Sequence, residues 1–232
     1  MIVPSAADAE VSIDQRRIDI DAYDDVYVVG DVHGCLEGLE RLLSTLEFGA
    51  DDLAVFVGDL VRKGPESKAV LERVRESPNL QSVRGNNEQK LVDGEADLPG
   101  LESADYRFIE SLPTAISWDD HLVVHGGVDP ARPLSAHSGD EVLTMRSPDG
   151  DGYDGPFWFD EYAGPPRVFF GHTVLEEPLE REWAVGLDTG CVYGGHLTAY
   201  DVRRERFVSV STPEHEPRPD EKFATASEHT HE

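Results

Sequence analysis

An α/β fold is predicted by one pattern that occurs three times: a short apolar strand runs into a glycine and a polar residue, and a helix follows. Val26 to Val29 leads to Gly30-Asp31, Leu53 to Val57 leads to Gly58-Asp59, and Leu80 to Val83 leads on to Gly85-Asn86. Four later strand patterns lie close together, which suggests a second, antiparallel sheet. In open α/β sheets sites form in the crevice outside the carboxyl ends of the strands, so the polar residues behind these glycines are the first candidates for chemistry.

Taken in order, residues 1–24 mix acids, alanine and serine with Ile13, Ile18 and Ile20, of which the last two alternate and suit an edge strand. This stretch is an N-terminal extension with no assigned function. From Cys35 to Phe48, Leu36, Leu39, Leu43 and Leu46 step by three and four, the spacing of a helix with one apolar face. A second helix opens at Pro65, which suits a first turn, and a third starts near Asn87. Ser103 to Ser111 forms a helix, and Ala115 to Trp118 and Leu122 to Val124 form strands joined by Asp119-Asp120. Another helix is expected over Asp140 to Arg146, before a loop rich in glycine, proline and acids. The four closing strands are Val168 to Phe170, Ala184 to Leu187, Leu197 to Val202 and Phe207 to Val210. Residues 25–212 make the domain, and the acidic tail 213–232 has too little to bury and is expected to be disordered.

A chain of 232 residues can build one substantial core, and no internal repeat argues for a solenoid. With 20 Lys+Arg against 47 Asp+Glu the formal charge is −27, which excludes a nucleic-acid grip based on general electrostatics. The only lysines are Lys63, Lys68, Lys90 and Lys222. Such an acid-rich, lysine-poor surface resembles cytoplasmic proteins of organisms that accumulate molar salt, where the Debye length is about 3 Å. Neither a membrane-spanning run nor a signal peptide is present, so a cytoplasmic protein without a membrane partner is expected. Cys35 and Cys191 are too few to staple the domain and are expected to be small, buried and reduced.

Two other features are given ordinary readings. D-G-D-G-Y-D-G at 149–155 has Tyr153 where a calcium loop needs a ligand and lacks the closing glutamate, so it is expected to be a solvated acidic loop. His121 and His137 are expected at the surface or at caps, His215, His229 and His231 lie in the tail, and His196 is left outside the site.

The strand-end residues are Asp31, His33, Asp59, Asn86, His125 and His172. Two carboxylates, three imidazoles and an amide suit two transition ions better than magnesium or calcium, with Asp59 able to bridge them. Manganese is expected first, with iron, zinc, cobalt or nickel also compatible.

The motifs G-D-V-H-G (30–34), G-D-L-V-R-K-G-P (58–65), R-G-N-N-E (84–88), V-H-G-G (124–127), G-H-T (171–173) and G-L-D-T-G-C-V-Y-G-G (186–195) resemble the phosphoprotein phosphatase superfamily of metallophosphoesterases. Within it, the likeness is to phage-type serine/threonine phosphatases and symmetrical diadenosine tetraphosphatases. The resemblance implies a calcineurin-like sandwich of two mixed β-sheets flanked by helices, with a dinuclear site at the strand ends. It assigns Asp31 and His33 to one metal, Asn86, His125 and His172 to the other, and Asp59 to both, with a hydroxide between the ions attacking phosphorus in line. It places Lys63 where the family has a phosphate-binding arginine, Arg146 at the second such arginine, and Asp188 as the residue that orients a ligand histidine.

Two positions depart from the family signatures: Arg62 replaces an aspartate, and Asn87 replaces the histidine taken as the general acid. Arg62 then becomes a candidate to attract a polyanionic substrate alongside Lys63 and Arg146. The expected activity is metal-dependent phosphohydrolysis of a phosphorylated small molecule or a phosphoprotein. Phosphoanhydrides such as dinucleoside polyphosphate or polyphosphate, and phosphomonoesters as in a serine/threonine protein phosphatase, both remain open. The loss of the acid also suggests a rival of another class, a module that binds a phosphorylated ligand without cleaving it.

Overall fold

The residues of β2 (Val26–Val29) and β3 (Leu53–Phe56) are buried at every position, because parallel strands covered on both faces have no solvent side for polar residues. In the computed structural model, which describes residues 13–150, 152, 153, 155–218, 223 and 224, β2 pairs in parallel with β3, and β3 with β4 (Leu80–Ser82). Helices α1 (Leu36–Thr45) and α2 (Ser67–Arg75) make the crossovers, and α3 (Asn86–Val92) and α4 (Ser103–Glu110) follow β4. The spacing of α1 turns Leu39, Leu42 and Leu43 inward, onto Val70, Leu71 and Val74 of α2 and onto the sheet face of Tyr27, Val29, Ala54 and Phe56.

The other face of these strands, Val26, Val28, Leu53 and Val55, meets Ile116, Trp118, Val123, Phe169 and Val185 of a second sheet. That sheet holds β1 (Gln15–Arg17), β5 (Ala115–Trp118), β6 (His121–Val124), β7 (Arg167–Phe170), β8 (Leu179–Glu180) and β9 (Ala184–Gly186) in the order β1-β5-β6-β7-β9-β8. Its outer face is covered by α5 (Gly139–Thr144) and by Trp158 and Phe159 of α6 (Trp158–Glu161). Two mixed sheets therefore pack face to face with helices outside them, as expected.

The last four strands do not form one antiparallel sheet. β7 and β9 pair in parallel in the second sheet, whereas β10 (His196–Asp201) and β11 (Arg206–Ser211) form an antiparallel pair that β10 joins to β2. Composition and alternation identify a strand, but its partner is set by where the connection lands. The N-terminal edge strand is also displaced: it is Gln15–Arg17, exposed throughout and parallel to β5, while Ile20 beyond it is buried between the sheets.

Within the tail, Glu214 bridges to Tyr193, and Ala224 is buried and bridges to Leu175. These described residues dock, in contrast to the expected disorder. Residues 1–12, 219–222 and 225–232, with His229 and His231, lie outside the described residues, as do Asp151 and Asp154 of the acidic loop. His137, expected at the surface or at a cap, caps the short 3-10 helix Leu134–Ala136 and is buried there, with its Nε2 accepting the Asp129 N–H at 2.7 Å. His121 stacks on Trp118, and His196 and His215 are exposed.

Candidate active site

The carboxyl ends of β2, β3, β6 and β7 and the start of α3 point into one cleft. There the chain turns sharply at His33 (φ 50°), Asp59 (φ 50°) and His172 (φ 62°), three non-glycine residues in the left-handed region. Such a conformation costs of order 1–3 kcal/mol per residue and persists where the surroundings over-determine it. Two glycines show how tight these surroundings are. A Cβ on Gly171 would strike the Asp31 carboxylate, and one on Gly85 would strike Asp59.

All six strand-end residues come together. Ligand-capable atoms of Asp31, Asp59 and His125 lie within 4.8 Å of one another. His125 Nε2 is 3.4 Å from an Asp59 oxygen and 3.0 Å from Asn86 Oδ1, and His33 Nε2 is 3.6 Å from Asp59 and 3.9 Å from Asp31. His172 packs its ring 5.0 Å from that of His125, and its buried Nε2 has no hydrogen-bond partner among the described residues. His125 Nδ1 donates to the Val57 carbonyl at 2.8 Å and His33 Nδ1 to that of Val61 at 3.2 Å, which leaves each Nε2 lone pair facing the cleft.

Charge in this cluster is unbalanced. Burial pushes the Asp31 carboxyl well above the usual carboxylate range, and the neighbouring Asp188 and Asp59 charges add to it. Burial also pushes Asp188 up to about 6. Asp59 is the exception, since burial is more than offset by the imidazoles of His125 and His33, the Lys63 ammonium and the Asn87 N–H, which hold it low. Burial lowers His33 to about 3 and depresses His125 and His172 as well. Neutral imidazoles beside crowded carboxylates form a donor set that lacks cations. Lys63 partly supplies one, donating to His33 Nε2 at 3.0 Å. The residues present fit divalent metal ions.

The cavity over these groups measures about 340 Å³ and is also lined by Lys63, Asn87, Lys90, Arg146, Tyr153, Val174, Asp188 and Tyr193. The geometry bears on three of the expected positions. Arg62 does not line the cavity; its Nη1 donates to Asn87 Oδ1 at 2.8 Å. Asn87 donates from Nδ2 to Asp59 and is pinned between the two, so it offers no acidic proton. Asp188 accepts the Gly190 N–H at 3.1 Å rather than an imidazole N–H, because the backbone carbonyls of Val61 and Val57, past the end of β3, have already taken the rings of His33 and His125. Arg146 reaches the cavity, with its guanidinium 4.7 Å from the Tyr153 ring centre and Nη2 donating to the His172 carbonyl at 3.3 Å.

Sequence reasoning missed several contributors. Glu88 is fully buried and accepts N–H bonds from Asp59 (2.9 Å), Val61 (3.1 Å) and Gly85 (2.8 Å), tying the β3 loop to the start of α3. Burial and then the Asp59 charge push it up to about 8 against those three donors. Its place in R-G-N-N-E was the available signal. Tyr153 turns inward from the acidic loop, and Tyr193 lies under Lys63, whose ammonium is 5.2 Å from the ring centre. Cys35 and Cys191 are buried free thiols in mutual contact.

Comparison with known proteins gives one family model, Calcineurin-like phosphoesterase, which matches residues 25–200. Serine/threonine-protein phosphatase 1 of Salmonella typhimurium is 27% identical over 79% of this chain and 94% of its own. The symmetrical bis(5'-nucleosyl)-tetraphosphatase of a Janthinobacterium species is 26% identical over 82% of this chain and 97% of its own. A crystal structure of a protein assigned as a diadenosine tetraphosphatase superposes with a TM-score of 0.78 at 31% identity, covering 86% of this chain and 98% of that one.

Proposed function

Because the chain belongs to the calcineurin-like phosphoesterase family and is a hydrolytic enzyme, we propose that it cleaves phosphoanhydrides of nucleoside or inorganic polyphosphates in preference to phosphoserine. The observation that carries this reading is the bond chain Arg62–Asn87–Asp59, in which the residue at the family's acid position is an amide held on both sides. General acid catalysis contributes about 10²- to 10⁴-fold and matters most for a strongly basic leaving group such as a serine alkoxide. A phosphate leaving group, with a second pKa of about 6, departs without a proton. The tetraphosphatase relatives support the same choice.

Asp31, His33, Asp59, Asn86, His125 and His172 would hold two divalent transition ions, manganese first among manganese, iron, cobalt, nickel and zinc. When bound, the ions lower the pKa of a water nucleophile and neutralise charge on the transferring phosphoryl group. Asp59 would be shared, and Glu88 keeps the loop that presents it in place. Lys63 and Arg146 line the cavity from separate loops and would take phosphoryl oxygens, Arg146 in the planar fork that suits them. Arg62 acts through Asn87 instead of on substrate. The acid-rich, lysine-poor composition supports a cytoplasmic protein adapted to high salt; no helix among the described residues is long and apolar enough to cross a membrane.

The test is a substrate panel at high salt with manganese. kcat/KM for dinucleoside tetraphosphate or tripolyphosphate is expected to exceed that for a phosphoserine peptide by at least about tenfold, and Asn87→His to help the peptide reaction more than the anhydride reaction. A wild-type enzyme that prefers the phosphoserine peptide would overturn the reading in favour of a protein phosphatase.

A further inference from the structure

We propose that Lys90 forms a second anion subsite, which holds a phosphate group of the substrate beyond the one under attack, and that the acidic rim past it limits the chain to a few phosphates. The inference rests on the phosphoanhydride reading and narrows it.

Lys90 sits in the last turn of α3, half-buried, on the wall of the metal-ligand cavity. It also lines an adjoining cavity of about 510 Å³, and Asn86, Arg146 and His172 are common to both. The two spaces are thus one groove that leaves the metal ligands and passes Lys90. Among the described residues, Lys63 donates to His33 at 3.0 Å and Lys68 to Glu102 at 2.9 Å, but the Lys90 ammonium makes no hydrogen bond or ion pair. In a chain with a formal charge of −27, a half-buried cation left without a carboxylate is set apart for an anion from outside.

Position along the groove gives the subsite its reach. A single phosphate on the metal ligands is served by Lys63 and Arg146 on the same cavity wall. A second or third phosphate would have to run along α3, where Lys90 stands. Beyond it the groove is walled by Asp93, Glu95 and Asp140, all exposed. A long polyanion continuing that way would meet like charge, whereas a short chain ending in an uncharged group would not. The sequence of charges, cation then carboxylates, selects a short polyphosphate over both a lone phosphate and a long polymer.

The test uses Lys90→Met, which keeps the length and removes the charge, with a melting curve to confirm folding. Tripolyphosphate and orthophosphate are compared as competitive inhibitors of aryl phosphate hydrolysis by the manganese-loaded enzyme. Wild type is expected to bind tripolyphosphate about tenfold more tightly than orthophosphate, about the effect of one charge-assisted contact, and Lys90→Met to erase most of that difference. A double variant, Asp93→Asn with Glu95→Gln, is expected to tighten long-chain polyphosphate several-fold and tripolyphosphate little. Equal weakening of both inhibitors by Lys90→Met, or no change in either, would overturn the subsite. Because inhibition is measured, this outcome is separate from the substrate ranking: an enzyme that prefers phosphoserine yet shows the Lys90-dependent difference refutes the anhydride reading and keeps the subsite.

Discussion

At the scale of single residues, the site stores repulsion among carboxylates that Lys63 offsets in part and that bound cations would relieve further. Asp31, Asp59 and Asp188 are all buried in one cleft, and two of the three have pKa values pushed up, Asp188 to about 6. The imidazoles beside them are biased toward the neutral form, since burial takes His33 down to about 3 and lowers the other two. Metal uptake should therefore displace protons from carboxyl groups and hardly any from histidine. The sign follows: below a raised carboxyl pKa the metal-free site holds a proton that an ion must expel, so affinity falls as pH drops through about 6 at Asp188, and Asp31, raised as well, adds to the fall. Calorimetric titration of manganese into chelator-treated protein, in buffers of different ionisation enthalpy, is expected to show proton release at about pH 5 that diminishes as the pH is raised through about 6. The Asp188→Asn variant should lose the part of that release associated with the value near 6. Proton release that is unchanged in the variant would remove Asp188 from the account.

At the scale of elements, the cleft depends on loops held from behind. Glu88, in the first turn of α3, takes N–H groups from Asp59, Val61 and Gly85, and no other side chain among the described residues binds these three donors. Glu88→Ala would leave three buried donors without partners, and a loss of about 3–5 kcal/mol is expected in urea melts, together with loss of metal affinity because Asp59 is released. Phe169→Ala, between the sheets and fully buried, should cost about as much stability while the folded protein still binds metal. A Glu88→Ala protein with unaltered manganese affinity would show that the β3 loop holds itself. Such dependence also explains what was legible in the chain. Each ligand candidate stands one to four residues past a strand and beside a glycine, a local arrangement that Gly30-Asp31, Gly58-Asp59 and Gly171-His172 display directly. The direction of Arg62 depends instead on a left-handed turn (φ 70°) and on Asn87 across the cleft, and the partners of β7, β9, β10 and β11 depend on distant strands. Tyr153 was hidden because its neighbours in sequence are acids and glycines, while its contacts are Arg146 and His172.

At the scale of the whole molecule, a formal charge of −27 sets the conditions for folding. Surface pairs such as Arg41–Glu37 and Lys68–Glu102 involve exposed groups, and pairs of that kind contribute about 0–1 kcal/mol each, so they do not cancel the excess of acids. What remains is mutual repulsion among carboxylates, with a range set by the Debye length: about 10 Å at 0.1 M salt and about 3 Å at 1 M. Neighbouring acids thus repel one another strongly in dilute buffer and weakly in molar salt. The melting temperature is expected to rise by roughly 10 °C between 0.1 M and 1 M potassium chloride, since a shift of 2–4 °C accompanies about 1 kcal/mol for a chain of this size. The shape of the curve identifies the cause. Screening acts early, so most of the rise should come below about 0.5 M and flatten beyond 1 M, whereas exclusion of salt from the protein surface would give a steady increase to higher concentration. A melting temperature independent of salt would mean that the acids are spaced or paired well enough to be harmless, and a steady climb past 1 M would transfer the effect from electrostatics to surface hydration.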